Sequence, residues 1–461
     1  MLGGMEASSR PRPAARPRAV ERGQELELTI DDLAYGGAGV ARHEGYVVFV
    51  RDAVPGDRVV ARVTKRKKAY AEARAVKLLA PGPDRVPARA DHAGAPWQVL
   101  PYERQLEVKA AQVDDALRRI GRLDGFALEP IVAAQEQWRY RNKLEYSFGT
   151  GPGGELVCGF HAPGSWERIE ALDDCLLASE RNNQARRAAL HWCRARALSA
   201  YDRREQAGLL RNLVVREGRR TGELQVRLVT SDERLDLDGF AEAVGADSVL
   251  WTRAPGVGET TAGGFTEVLH GTEAIDEEIA GLRFRVSAEA FFQTNTEMAE
   301  RLYAVAAELA ALQGWERLYD LFCGIGTIGL SLARRAGEVW GLEIVESAIA
   351  DAIANARANE IDNARFFAGD VRLAMRELVE TAGRPDVVVV DPPRAGLSAK
   401  VVRRVVEAGP SRIVYVSCNP TTLAPNAAQL VEAGYALRRV RPVDMFPQTP
   451  HIECVALLER A

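Results

Sequence analysis

The sequence has little of what zinc-binding or secreted proteins depend on. Its 461 residues include six cysteines, and no two of them form a C-x-x-C pair. A zinc ribbon and a disulfide framework are therefore not indicated, and reduced thiols fit a cytosolic location. No apolar run approaches the ~18 residues that span a bilayer, and the amino terminus has no apolar signal-peptide core. We expect a cytoplasmic protein that does not enter a membrane, and by default a monomer.

Charge is distributed unevenly along the chain. The formal net charge is −4, yet residues 1–80 hold 15 Lys and Arg against 10 Asp and Glu, while the remainder holds 45 against 54. A basic front end on a mildly acidic body favours a polyanion bound near the front. Composition alone supports a bound polyanion and a merely solvated charged face about equally.

The pattern of residues divides the chain into four parts. Residues 1–22 form a Pro/Arg/Ala tail that is expected to be disordered. Residues 23–80 alternate short β-runs with glycine turns, which predicts a small OB-like β-barrel. Residues 85–285 mix strands and helices, as in a central α+β domain. Residues 286–461 alternate strands with helices, which predicts a doubly wound, Rossmann-like α/β domain.

Two stretches combine basic and aromatic side chains. Residues 65–68 are all Lys or Arg and precede Tyr70. This pattern suits phosphate contacts with base stacking, or the solvated tip of a hairpin. Residues 138–148 alternate aromatic and basic side chains. That alternation fits either a surface for single-stranded nucleic acid or an amphipathic strand with its aromatics in the core, and the pattern alone leaves both open.

A glycine motif at the end of one predicted strand indicates a cofactor site. The motif G-x-G-x-x-G begins at Gly324, opens a helix, and has Glu343 about 19 residues after its first glycine. A nicotinamide dinucleotide and S-adenosylmethionine both need such a turn and an acid for ribose hydroxyls. Asp320 before the turn and Asp391 in a stiff D-P-P sequence favour S-adenosylmethionine.

One cysteine stands where ligands bind in α/β folds. Cys418 follows an apolar, β-branched run at residues 412–417, and an Asn-Pro pair stops that strand. Ligands bind at the carboxyl edge of open α/β sheets. A thiolate there can add to carbon 6 of uracil and make carbon 5 nucleophilic toward a sulfonium methyl group. A base must then remove the carbon-5 proton, and Glu453 and His451 are the two candidates.

Five motifs resemble those of the RNA (uracil-5-)-methyltransferases and occur in that family's order. They are F-F-Q-T-N at 291–295, D-L-F-C-G-I-G at 320–326, D-P-P-R-A-G at 391–396, S-C-N-P at 417–420 and H-I-E at 451–453. The front barrel resembles the family's TRAM domain, an RNA-binding module. The resemblance implies an enzyme that transfers a methyl group from S-adenosylmethionine to carbon 5 of a uridine, in ribosomal RNA first and transfer RNA second.

The resemblance also implies roles for individual residues. Cys418 is implied as the nucleophile and Glu453 as the base that takes the proton. Residues 139–148 resemble a strand of the family's central domain, which favours the RNA-facing alternative for that stretch. Six residues are implied to bind the cofactor: Gln293, Phe322, Thr327, Glu343, Asp370 and Asp391.

The chain departs from the family's pattern at one place. Many members hold an iron–sulfur cluster with three cysteines before a Trp-Gln pair and a fourth cysteine in the central domain. Here no cysteine precedes Trp97 and Gln98, and only Cys175 matches the fourth position. One ligand cannot hold a cluster, so we expect no iron–sulfur cluster and no other metal.

Two further classes of function stay open on the residues alone. A nicotinamide-dependent oxidoreductase would use the same glycine motif, although no hydride-transfer residues accompany it. A non-catalytic RNA-binding protein would use the barrel alone. The joint presence of Cys418, Glu453 and Asp391 disfavours this purely binding role.

Overall fold

The computed structural model describes residues 20–256, 258 and 263–461. The chain divides into two units, one of Met1–Pro87 with Val99–Pro101 and one of Ala88–Gln98 with Tyr102–Ala461. Residues 1–19, which make up most of the tail expected to be disordered at 1–22, lie outside the described residues. Each unit is described by itself.

The first unit is a sheet of short strands with one apolar face. Period-two alternation places Leu26 and Leu28 of the first strand in its core, together with Val48 and Val50 of the fourth. The strands are β1 (Glu25–Thr29), β2 (Asp32–Leu33), β3 (Gly39–His43), β4 (Tyr46–Arg51), β5 (Arg58–Arg66) and β6 (Tyr70–Ala80), in the sheet order β1-β5-β6-β4-β3-β2. This agrees with the predicted OB-like barrel.

The basic run of the first unit is a hairpin tip. Residues 65–68 are exposed where β5 turns into β6, and Lys67 N donates to Tyr70 O at 2.9 Å. The Tyr70 ring packs edge-on against Phe49, with the ring centroids 5.4 Å apart. The tip is therefore accessible to phosphates, while Tyr70 is half-buried against its neighbour.

The second unit begins with a helix and a mixed sheet. The sheet runs in the order β10-β9-β8-β11-β12-β13-β14, and β15 and β16 form a separate hairpin. The elements are α1 (Tyr102–Asp115), which continues as a π-helical turn (Ala116–Ile120), β7 (Ala127–Leu128), β8 (Lys143–Thr150), β9 (Leu156–His161), β10 (Ile169–Ala171), α2 (Glu180–Ala195), β11 (Leu210–Glu217), β12 (Leu224–Thr230), α3 (Phe240–Val244), β13 (Ser248–Arg253), β14 (Phe265–His270), β15 (Ala274–Ile279) and β16 (Leu282–Ser287).

The aromatic residues of 138–148 face the core, so the RNA-facing interpretation of that stretch was wrong for them. Tyr140, Tyr146 and Phe148 are buried in one apolar cluster with the side chains of α2. Arg139 pairs with Asp174 and is not part of a free basic surface. Residues 143–148 of the stretch belong to β8, and the aromatic rings that pack in the core cannot stack on bases.

The rest of the second unit is the predicted Rossmann-like sheet with helices. Its order is β19-β18-β17-β20-β21-β23-β22-β7, parallel from β19 to β21 and antiparallel at β23. The elements are α4 (Thr296–Ala310), β17 (Arg317–Leu321), α5 (Thr327–Ala333), β18 (Glu338–Glu343), α6 (Glu346–Ala358), β19 (Ala364–Ala368), α7 (Val371–Ala382), β20 (Val387–Val390), α8 (Ala399–Ala408), β21 (Arg412–Ser417), α9 (Pro420–Glu432), β22 (Tyr435–Val443) and β23 (Glu453–Arg460).

Burial on both faces explains the composition of the central strands. β20 consists of four valines, all 0% exposed, because helices cover both sides of a parallel sheet. The short strand β7 joins the far edge parallel to β22. The predicted boundary at residues 285–286 falls inside β16, so the division of this unit into central and catalytic domains stays a prediction.

Candidate active site

The strand order reverses at β17, and this fixes where a ligand can bind. β18 pairs with one edge of β17 and β20 with the other, which opens a crevice at the carboxyl ends of the strands. Asp320 lies in β17, Asp391 directly follows β20, and Cys418 directly follows β21. Alternation places all three on the face whose apolar residues share one core with α4, as Leu318, Val389 and Val416 do.

The turn after β17 uses backbone conformations that favour glycine. Phe322, Gly324 and Gly326 have φ values of 65°, 52° and 84°. A Cβ on Gly329 would lie 2.8 Å from Asp320 Oδ2, and instead the Gly329 N–H donates to that oxygen at 2.8 Å. Glycine at these positions therefore lets the start of α5 approach the acid at the strand end.

Asp320 is fully buried and only partly satisfied. Its Oδ2 accepts from Gly329 N, whereas no hydrogen-bond donor among the described residues reaches its Oδ1. Burial raises the pKa of Asp320 to about 7; the Gly329 N–H opposes this shift and the charge of Glu343 adds to it. A buried acceptor without a donor costs free energy, so a ligand with an N–H donor or positive charge would be stabilised here. S-Adenosylmethionine has both.

A small cavity lies beside Asp320. Four of the six residues implied to bind the cofactor line it: Gln293, Phe322, Thr327 and Asp391. Its wall is completed by residues of the F-F-Q motif, of α4 and of the glycine turn, namely Phe291, Phe292, Tyr303, Asp320, Cys323, Gly324, Ile325 and Ile328. The strand ends and the glycine turn thus converge on one site.

The other two implied cofactor residues lie outside that lining. Glu343 Oε2 accepts from Gly324 N at 3.3 Å, and its Oε1 accepts from the N–H groups of Ile344 and Val345. Asp370 caps α7 and pairs with Arg372. Hydrogen bonds thus hold Glu343 at the glycine turn, whereas the Asp370 carboxylate already interacts with the first turn of α7. The cofactor roles of all six residues stay predictions.

Tyr303 is a residue of this cavity that the sequence reasoning missed. It lies on the buried face of α4, and its hydroxyl donates to Thr327 Oγ1 at 3.1 Å. Its helical spacing looks like that of an ordinary core residue, so no local signal marks it. Phe291, in contrast, belongs to the F-F-Q-T-N motif, and the structure adds that this large aromatic is 69% exposed beside the cavity, which is unusual.

Cys418 and Glu453 lie opposite each other at the ends of neighbouring strands. β21 and β23 pair antiparallel up to Ser417 opposite Cys454, and the next positions along the two chains are Cys418 and Glu453. Because side chains alternate, these two point to the face opposite that of Ser417 and Cys454. Cys418 is half-buried and Glu453 is 4% exposed. The register therefore brings a thiol and a carboxyl group together.

Helix α1 holds the segment that leads into Glu453. Lys109 Nζ donates to Asp444 Oδ1 at 2.6 Å and to Phe446 O at 3.0 Å, and Tyr102 Oη donates to the other oxygen of Asp444 at 2.8 Å. Gln105 exchanges hydrogen bonds with Gln448 through Nε2 and Oε1. Burial lowers the pKa of Lys109, and its partner Asp444 opposes that shift.

Replacing Lys109 with methionine is expected to destabilise the protein by about 3–5 kcal/mol, because it leaves the Asp444 carboxylate buried without its ion partner. Urea unfolding would measure the loss. The matched control is Arg104→Met on the same helix, whose exposed pair with Glu107 is worth less than about 1 kcal/mol. Equal losses in the two variants would show that the buried pair does not hold this segment.

The surroundings of Cys418 favour the protonated form of its thiol. Burial first, and then the charges of Glu453 and Asp391, raise the pKa of its thiol to about 11, while the charge of Arg394 opposes the shift. Burial also raises the pKa of Glu453, with Asp391 adding to the shift and Arg394 opposing it. The thiol must therefore lose its proton before it can act as a nucleophile.

Iodoacetamide is expected to alkylate Cys418 before the other five cysteines, all of which are buried. The rate should rise with pH toward about 11, since only the thiolate reacts. Arg394→Met removes the charge that lowers this pKa, so alkylation at about pH 9 should slow severalfold. Peptide mass spectrometry would follow the rate, with Arg357→Met on α6 as the control. If the wild type and Arg394→Met gave superimposable pH profiles, Arg394 would not lower the pKa of the Cys418 thiol.

Comparison with known proteins shows which family the chain belongs to. The model of tRNA (uracil-5-)-methyltransferases matches residues 268–461, and that of the TRAM domain matches residues 19–76. A relative from Halalkalibacterium halodurans, described as an uncharacterized RNA methyltransferase, is 39% identical over 450 residues, which cover 95% of this chain and 98% of the relative. The chain belongs to the RNA (uracil-5-)-methyltransferase family.

Further relatives of this methyltransferase agree. An uncharacterized RNA methyltransferase from Bacteroides thetaiotaomicron is 39% identical, with 93% of this chain and 100% of the relative covered. The crystal structure of Pyrococcus abyssi tRNA (uracil-54, C5)-methyltransferase in complex with S-adenosyl-L-homocysteine superposes with a TM-score of 0.77 and 29% identity, over 94% of this chain and 99% of that one. The methyltransferase is thus an S-adenosylmethionine-dependent enzyme, which decides against a nicotinamide cofactor and a purely binding role.

The region that would hold an iron–sulfur cluster in other members of the family does not fit one in this methyltransferase. Cys175 is buried, with its Sγ 3.3 Å from His92 Nε2, and Ala95 packs in the same apolar cluster. Within residues 20–256, 258 and 263–461, no group of three or more His, Cys, Asp or Glu is arranged to hold a metal ion. No step of the reaction is assigned to a cluster.

Among the described residues, the methyltransferase has no helix with both the length and the apolar character required to traverse a bilayer.

Proposed function

We propose that this methyltransferase modifies carbon 5 of a uridine in structured RNA through a transient covalent bond between Cys418 and carbon 6 of the base. One observation supports this above the others. The register of β21 and β23 sets Cys418 opposite Glu453, on the face that also bears Asp320 and Asp391. A nucleophile, a carboxyl group and the cofactor cavity therefore share one edge of the sheet.

The chemistry needs each of these groups. The Cys418 thiol gives its proton to water, and the thiolate adds to carbon 6 while the ring's π electrons move to the oxygen on carbon 4. Carbon 5 of the resulting enolate is nucleophilic. Carbon 5 would take the electrophilic methyl group that bound S-adenosylmethionine supplies, and the electrons of the broken S–CH3 bond would stay on sulfur in the neutral product S-adenosylhomocysteine. The ionised carboxylate of Glu453 then accepts the carbon-5 proton, the electrons of that bond rebuild the ring double bond, and the thiolate leaves. Glu453 finally returns the proton to water.

The base is proposed to be Glu453 and not His451. Desolvation lowers the pKa of His451 to about 4, and the charges of Arg394, Arg141 and Lys109 add to the shift, which makes its ring a weak proton acceptor. The raised pKa of Glu453 makes its carboxylate a stronger one. Glu453 also occupies the register position opposite Cys418, whereas His451 precedes the strand.

The cofactor is proposed to lie in the cavity beside Asp320. Gln293, Phe322, Thr327 and Asp391 would line it, and the buried Oδ1 of Asp320 would accept a hydrogen bond from it. Glu343, held at the glycine turn by the Gly324 N–H, would take the ribose hydroxyls. The adenine contact implied for Asp370 would require that its pairing with Arg372 be opened.

The RNA is proposed to be ribosomal or transfer RNA, with the target uridine turned out of its stack into the site. The sequence-based expectation placed ribosomal RNA first, and it stays a prediction. The matching family model and the Pyrococcus abyssi protein both have transfer RNA in their names, which supports transfer RNA as an equal candidate.

The deciding experiment is mass mapping of 5-methyluridine in ribosomal and transfer RNA from cells that lack this gene. At least one position should lose its methyl group and regain it when the wild-type gene, but not the Cys418→Ala variant, is returned. The RNA class that loses the mark identifies the substrate. An unchanged map in both RNA classes, together with no methyl transfer to either RNA by the purified protein, would refute the proposal.

A further inference from the structure

A second cavity lies in the sheet of β8–β14, outside the proposed catalytic site. Its volume is about 250 Å³. It is bounded by the carboxyl end of β8 at residues 148–150, the loop after β9, the segment at residues 200–204 and the start of β11. Pockets for drug-sized ligands have volumes of about 300–1,000 Å³, so this one suits a single flat ring system.

Two of the aromatic side chains that line this cavity, Trp166 and Tyr201, lie beside an arginine. Trp166 is 54% exposed, with the guanidinium of Arg204 5.8 Å from its ring centroid. Tyr201 has the guanidinium of Arg211 4.2 Å from its ring centroid. Aromatic rings beside arginines are a recurring means of binding unpaired bases, because every base has a π-face and a guanidinium can meet a phosphate.

The positive charge at Arg211 is not neutralised by any carboxylate of the described residues. Arg211 is only 9% exposed, its terminal nitrogens donate to the carbonyl oxygens of Gly256 and Gly258, and its Nε has no partner among the described residues. Arg204, in contrast, pairs with Glu167 at the surface. The Asp202 carboxylate accepts the backbone N–H groups of Arg204 and Glu205 and so shapes the turn. A buried guanidinium that donates only to carbonyl oxygens among the described residues favours an anionic ligand.

We propose that this cavity binds one unpaired nucleotide of the RNA substrate, away from the uridine that is methylated. Trp166 and Tyr201 stack on its base, and Arg211 contacts its phosphate. This inference rests on the proposed function, since it identifies where the same RNA is held. No motif links these residues; the fold alone brings them together.

Strand β8 connects the two sites and sets their separation. Directly before its first residue, Asn142 Nδ2 donates to the carbonyl oxygen of Gln293, a residue of the proposed cofactor cavity, at 2.9 Å. At its end, residues 148–150 line the second cavity. Eight strand residues at ~3.3 Å each put the two about 25 Å apart. A nucleotide bound there lies several positions from the target or in another part of the folded RNA.

The test compares the methylation kinetics of Trp166→Ala and Tyr201→Ala with those of the wild type. The probes are total transfer RNA and total ribosomal RNA from cells that lack the protein. We expect KM for the methylated RNA to rise about tenfold with kcat unchanged, because stacking binds the ground state and the transition state equally. Trp166→Phe should restore KM. The control is Trp315→Ala, which removes a 69% exposed tryptophan before β17.

A second measurement keeps this test separate from that of the catalytic proposal. RNA substituted with 4-thiouridine should photocrosslink to peptides that contain Trp166 or Tyr201, and the Cys418→Ala variant should crosslink equally well. Unchanged KM in both alanine variants for both RNAs would overturn the second site and leave the catalytic proposal standing. If the wild type forms no 5-methyluridine, the catalytic proposal fails, and the absence of these crosslinks would then overturn the second site as well.

Discussion

Replacing Cys418 with alanine is expected to reduce methylation by at least about a thousandfold, as in enzymes from which a nucleophile has been removed. The reason is chemical, because carbon 5 of uracil does not react with a methyl sulfonium until a nucleophile has added to carbon 6. RNA binding should survive, since the half-buried thiol contributes little contact area. Transfer of a labelled methyl group would measure the loss, and a gel-shift titration would measure RNA affinity.

The chain offers a matched control for this substitution. Cys454 lies beside Cys418 in the sheet, but its Sγ points to the other face, 3.7 Å from the Ser417 carbonyl oxygen. Cys454→Ala should keep full methylation at a small cost in stability. Methylation that persists in Cys418→Ala, or that is lost equally in both variants, would mean that Cys418 does not act as the nucleophile.

The sequence located the ends of strands well, because each end combined an apolar run with a polar or breaking residue. The runs before Asp320, Asp391 and Cys418 became β17, β20 and β21, and their parallel pairing brought the three polar residues to one edge. That edge could be anticipated without a structure, since parallel strands present their carboxyl ends together. Glu453 was placed at a strand start, but its position opposite Cys418 depended on a register that no local pattern specifies.

The sequence did not predict which face of a strand or helix packs against the core. The alternation at residues 138–148 showed that its aromatics share a face, but not that the core covers this face, and Tyr140 and Tyr146 proved to be buried. Tyr303 has the spacing of any core residue of a helix. Trp166, Tyr201 and Arg211 come from three separate segments, so their convergence arises only from the tertiary fold.

Glu453→Gln is expected to accumulate a covalent complex between the protein and RNA. In the proposed order of steps, Glu453 acts only after the thiolate has added and carbon 5 has taken the methyl group, so the variant can form the bond to Cys418 but cannot release it. Turnover should fall by about 10²–10⁴-fold, the usual contribution of a positioned base. Denaturing gel electrophoresis with labelled RNA would show the complex as a shifted band that requires S-adenosylmethionine.

The double variant Cys418→Ala with Glu453→Gln should form no such band, which separates a covalent complex from tight binding. Glutamine keeps the size of the glutamate side chain and its capacity for hydrogen bonds, so the 4% exposed site should stay packed.

If Glu453→Gln turns over at the wild-type rate, a group other than Glu453 must accept the carbon-5 proton. His451→Gln is then the variant that should trap the complex, and a pH profile controlled by the His451 pKa of about 4 would accompany it. Because Glu453 has a raised pKa, the mechanism proposed here instead places the rate-controlling ionisation well above the ordinary range of a carboxyl group.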